Sequence, residues 1–64
     1  MYSNKMKQIR LSKGMQLVEL SKKTGISVGY LCHLEKGTRK NPSIEIMDKI
    51  SNALGKTVSE IFFN

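Results

Sequence analysis

The sequence predicts an all-α fold of five short helices, and two observations carry that expectation. Apolar residues recur at helical spacing between glycines at positions 14, 25, 37 and 55, and no stretch alternates with period two over a strand's length. With 64 residues, a single domain spanning 1–64 is expected. A chain this short buries only about 60% of its unfolded surface, so its stability should be modest, on the order of 3–10 kcal/mol.

The first helix is expected at about 3–13, where Met6 and Ile9 share a face, and Gly14 ends it. A second, at about 17–23, is lined by Leu17 and Leu20 with Thr24 beside them and ends at Gly25; Gln16 and Glu19 are spaced like a weak capping box at its start. Ser27 is a good N-cap for a third helix carrying Tyr30, Leu31 and Leu34. The basic, turn-rich loop KGTRKNP follows. A fourth helix at about 43–54 bears the stripe Met47, Ile50 and Leu54, with Ile46 and Ala53 beside it. TVSE at 57–60 is a capping box opening a last short helix through Ile61 and Phe62.

Composition bounds the chemistry. Eleven basic residues against five acidic ones give a formal charge of +6, which suits a polyanionic partner, either nucleic acid or an anionic membrane surface. A membrane-surface bundle needs a basic and an apolar face on one helix, and no segment shows that. No run of 18 apolar residues and no leader-like segment after Met1 is seen, so neither a membrane span nor a secretion signal is expected. The only cysteine and the only histidine stand side by side at Cys32 and His33. One of each is too few for a zinc site within one chain, so no metal is expected, and a free thiol fits a reducing cytosol. No paired carboxylates, nucleophile–base set or phosphate-cradling loop appears, so neither an enzyme nor a cofactor is expected.

The join between the second and third helices is more specific. Gly25 leaves almost no loop, so the turn is tight and the helices must cross steeply. Ser21 is the small residue near the crossing, and Ile26, Leu31 and Leu34 are the apolar ones beyond it. This is the helix-turn-helix arrangement, at about 17–36, and it frees the outer face of the helix at about 28–36 to enter a major groove.

The run MKQIRLSKGMQLVELSKKTGISVGYLCHLEKGTRKNPSIEIMDKISNALGKTVSEIF resembles the Cro/C1-type helix-turn-helix family of phage repressors and bacterial regulators. The match covers nearly the whole chain. LEKG followed by NPSIEIMDKISNALG is its most specific part, and YLCHLEKGTRKNPS looks most like the DNA-binding domains of SinR-type regulators. The resemblance implies a five-helix, lambda repressor-like domain that binds double-stranded DNA at a pseudo-palindromic operator, commonly as a homodimer.

Carried over residue by residue, the family's base-reading positions fall on Ser27, Val28, Gly29 and His33. Val28 offers apolar contact to a thymine methyl, Gly29 offers no side chain, and His33 is left as the main polar reader, donating to guanine or to a phosphate. Tyr30 matches a position that touches phosphate through its hydroxyl, and Gln16 stands one residue from the family's glutamine contact. Thr38, Arg39, Lys40 and Asn41 complete an expected phosphate clamp, Asn41 lying just before the N-terminus of the fourth helix. Arg10 and Glu35 match a pair that ties the first helix to the third. Ile46, Val58 and Phe63 form a leftover apolar set on the helices that also carry Glu45, Asp48 and Glu60, and are expected at a dimer interface.

Two function classes remain open at this point. One is a sequence-specific DNA-binding transcriptional regulator, a cytoplasmic repressor. The alternative is an antitoxin-type or other protein-interaction module whose main partner is a protein.

Overall fold

The computed structural model describes residues 4–39 and 41–63. Five α-helices, and no strands among the described residues, run in the order α1 (Met6–Ser12), α2 (Leu17–Thr24), α3 (Val28–Lys36), α4 (Ile44–Leu54) and α5 (Val58–Phe62). Here α2 packs on both α3 and α4, and α5 packs on α4 and α1. The core is the sum of one apolar face from each helix: Met6, Leu20, Leu31, Leu34, Ile50, Leu54 and Ile61 have no exposed surface. Met15, Ile26 and Phe62 close its edges.

Helix ends follow local chemistry. Ser27, Ser43 and Thr57 each accept a backbone N–H bond three residues on, from Tyr30, Ile46 and Glu60 respectively. Glu60 returns the favour by accepting from the Thr57 N–H at 2.9 Å, completing a capping box. That bond, with a further bond to Thr57 and the nearby Lys56 charge, holds the Glu60 carboxyl below the usual carboxylate range. Its stabilising share is therefore in place at neutral pH and is lost as pH falls through its folded value.

Two expectations are corrected. The side chain of Gln16 makes no cap bond, so the weak box with Glu19 does not form: a glutamine at the N-cap carries its amide one methylene further out than asparagine does. The first helix begins at Met6 rather than near position 3, Ser3 itself lying outside the described residues. In place of a further turn, the Asn4 side chain accepts from the Met6 N–H at 2.9 Å and donates to the Leu34 carbonyl at 3.0 Å. The Lys5 N–H donates to the Ile61 carbonyl at 2.9 Å, so the entry to α1 is tied to both α3 and α5.

Candidate nucleic-acid interface

The turn between α2 and α3 sets the site. Gly25 adopts φ 74°, a left-handed conformation that strains any residue with a Cβ. The polar side chains of α2 then hold the turn. Ser21 Oγ donates to the Ile26 carbonyl at 2.6 Å, and Thr24 Oγ1 accepts from the Ile26 N–H at 3.2 Å while donating to the Leu20 carbonyl at 2.8 Å. The Ser21 and Thr24 hydroxyls and both backbone polar groups of Ile26 are therefore matched, which fixes the angle at which α3 leaves α2.

That angle buries Leu31 and Leu34 and half-buries Tyr30 against the core. Ser27, Val28, Gly29 and His33 are left exposed. Gly29 and His33 lie four residues apart, one helical turn along the same side. A Cβ built on Gly29 meets nothing within 4 Å, so no contact inside the protein requires glycine there. Cys32 is half-buried, at the edge of an open pocket it shares with Lys7, Arg10, Leu17, Glu35 and Lys36.

The loop after α3 folds back over the helix end. Gly37, at φ 81°, turns the chain so that the N–H groups of Thr38 and Arg39 donate to the His33 carbonyl at 3.0 and 3.2 Å. Arg39 then lies over the Tyr30 ring, its Cζ 5.5 Å from the centroid, an arrangement in which each side chain limits the motion of the other. Thr38 Oγ1 sits 2.8 Å from His33 Nδ1 and donates to the His33 carbonyl at 3.1 Å. Its hydroxyl thus meets His33 at both the ring and the backbone within the loop. Gln16 and Asn41 are exposed, and Lys40 lies outside the described residues.

Behind this surface, α3 is bolted to α1. Arg10 is 7% exposed, and its Nε and Nη2 donate to the two Glu35 oxygens at 2.7 and 3.1 Å. Its Nη1 donates to the Met15 carbonyl at 2.8 Å. The hydrogen bonds to Glu35 raise the pKa of the guanidinium against the opposing pull of desolvation. Ile46 and Val58 are half-buried against the core, whereas Phe63 is 67% exposed and Ile44, which no helical stripe singles out, is 74% exposed. Among the described residues no group of His, Cys, Asp and Glu side chains could hold a metal ion, and no helix is long and apolar enough to cross a membrane.

This geometry, a glycine-turned helix pair with one helix offered outward, coincides with what comparison with known proteins gives. The helix-turn-helix family model matches residues 6–61. The chain belongs to the helix-turn-helix family. It is 38% identical over 58 residues to the HTH-type transcriptional regulator SinR of Bacillus subtilis (strain 168), covering 91% of this chain and 52% of that one. It is also 38% identical over 55 residues to the transcriptional regulator ClgR of Mycobacterium tuberculosis (strain ATCC 25618 / H37Rv), covering 86% of this chain and 48% of that one. A solved SinR protein/SinI protein complex superposes with a TM-score of 0.81 at 38% identity, covering 86% of this chain and 53% of that one. The chain thus spans about half the length of the curated relatives it matches.

Proposed function

We propose that this chain is a transcriptional regulator that binds double-stranded DNA and reads the major groove with the outer face of α3. One observation carries the reading most directly: Ser27, Val28, Gly29 and His33 form an exposed face on a helix whose orientation is fixed by a turn bonded to the Ser21 and Thr24 hydroxyls. Gly29 lets the backbone of that helix come close to base edges, and Val28 is placed for a thymine methyl. Gln16, Tyr30, Arg39, Lys40 and Asn41 hold phosphates around it, while Thr38 acts through His33. The names of the relatives, which are transcriptional regulators, support the same reading. Repression, by occupying an operator in the cytoplasm, is the simplest regulatory outcome for a domain of this kind.

Phosphate binding makes a quantitative expectation. Counterion release gives a log–log salt slope of about −0.9 per phosphate neutralised. Arg39→Ala should flatten that slope by about one per chain and weaken all sequences alike. Fluorescence-anisotropy titrations at several salt concentrations check this. A variant that changed base preference while keeping the full slope would refute the phosphate role.

The reading extends to two chains on one operator. Phe63 is the exposed member of the apolar set, Ile46 and Val58 are half-buried against the core, and Ile44 is a second exposed apolar side chain, at the start of α4. A homodimer through α4 and α5 would set two recognition helices one DNA turn apart, roughly 34 Å, on a pseudo-palindrome. Phe63→Asp should lower dimerisation and operator affinity together without loss of helicity, as sedimentation and circular dichroism would record. A monomer at all concentrations, free and on DNA, would contradict the dimer.

A further inference from the structure

The contact between His33 and Thr38 bears on where the imidazole carries its proton. Thr38 Oγ1 carries one hydrogen and touches two atoms: the His33 carbonyl oxygen at 3.1 Å and His33 Nδ1 at 2.8 Å. A carbonyl oxygen can only accept, so the hydroxyl hydrogen belongs on that side; otherwise two oxygen lone pairs would oppose each other at hydrogen-bond distance. With the hydroxyl hydrogen so placed, Oγ1 is the acceptor for Nδ1, which on this assignment carries a proton. Thr38 is held in place for this by the left-handed Gly37 and by its own N–H bond to the same carbonyl. On this assignment the neutral ring is the Nδ1–H tautomer, and its exposed Nε2, to which no described residue bonds, presents a lone pair.

We propose that Thr38 is a positioning residue that fixes this tautomer, so that neutral His33 reads, through Nε2, an exocyclic amino group on a base edge in the major groove. The inference rests on the DNA-reading function above. In the major groove only adenine N6 and cytosine N4 offer such a donor, whereas guanine O6 and N7 and thymine O4 are acceptors. A neutral His33 so held discriminates in favour of adenine or cytosine, opposite to the donor role toward guanine that the sequence suggests. Serine in place of Thr38 keeps the hydroxyl and the tautomer. Valine keeps the shape and loses both.

Two measurements on the intact protein test it, both in the same mildly alkaline buffer. The first is long-range proton–nitrogen NMR of the His33 ring in the free protein. Wild type and Thr38→Ser should carry the proton on Nδ1, and Thr38→Val should move it to Nε2. The second is selection of bound duplexes from a random pool. Wild type and Thr38→Ser should select adenine or cytosine at one position per half-site, a preference that His33→Ala loses. Thr38→Val should lower that preference roughly tenfold, or reverse it toward guanine or thymine. A proton on Nε2 in wild type would overturn the inference and leave DNA reading intact. So would a consensus unchanged by His33→Ala and Thr38→Val, or guanine at the His33-dependent position. Failure of the folded wild type to select any sequence would overturn both the inference and the function it rests on.

Discussion

Arg10→Ala should destabilise the fold by about 3–5 kcal/mol, enough to unfold much of the protein given a stability on the order of 3–10 kcal/mol. The guanidinium fork makes three hydrogen bonds, two to Glu35 and one to the Met15 carbonyl, in a place where both charged side chains are under 10% exposed. Truncating Arg10 strands the Glu35 carboxylate beneath the surface and leaves the Met15 carbonyl without its donor, so the effect exceeds that of a surface ion pair. Lysine is not an adequate substitute, because it keeps the charge and loses the two-pronged geometry. Glu35→Ala should harm stability by a similar mechanism. The double variant Arg10→Ala/Glu35→Ala should therefore cost well under the sum of the two, which urea denaturation in a double-mutant cycle measures. A loss below about 1 kcal/mol for Arg10→Ala would show that the pair is no more than a surface contact.

Gly29→Glu should leave the protein folded, or slightly more stable, while reducing DNA affinity by about 100-fold or more. Nothing lies within 4 Å of an added Cβ at Gly29, and the residue is second in α3. Glutamate is a better helix former than glycine and is favoured in the first turn by the helix dipole, which together are worth about 0.5–1 kcal/mol of stability. On DNA the same carboxylate would stand between the helix and the base edges, in the phosphate field, where a like charge costs several kcal/mol. Melting curves and binding titrations on one preparation separate the two effects. Full affinity in this variant would place the DNA somewhere other than the outer face of α3.

Much of this fold was legible because its signals are local. The hydroxyl caps at Ser27, Ser43 and Thr57 and the left-handed glycines at 25, 37 and 55 bracket α3 and α4 and cap α5, and apolar spacing assigns the inward face of each helix. Met15 shows where local patterning stops: it belongs to no helix, yet it is buried and its carbonyl receives Arg10. The Gln16 box failed for a related reason, since spacing alone does not say whether the side chain at the N-cap holds its polar group at the right distance from the backbone. At the interface, the exposed positions of α3 follow from helical period, but the role of Thr38 does not. It depends on Gly37 reversing the chain over the last turn of α3, a tertiary closure that places a hydroxyl five residues downstream against an imidazole. Ile44 was invisible because it is the first residue of α4 and falls outside the stripe formed by Met47, Ile50 and Leu54.

The central claim is that α3 presents its outer face to DNA, and amide chemical-shift mapping tests it most directly. A labelled sample titrated with a duplex selected from a random pool should show its largest changes at Ser27, Val28, Gly29 and His33, with a second set at Gln16, Arg39 and Asn41. The residues Glu45 and Asp48 on α4 should move little, apart from changes caused by pairing of chains near Phe63. Changes concentrated on α4 and α5, with Val28 and Gly29 unmoved at saturation, would contradict the account.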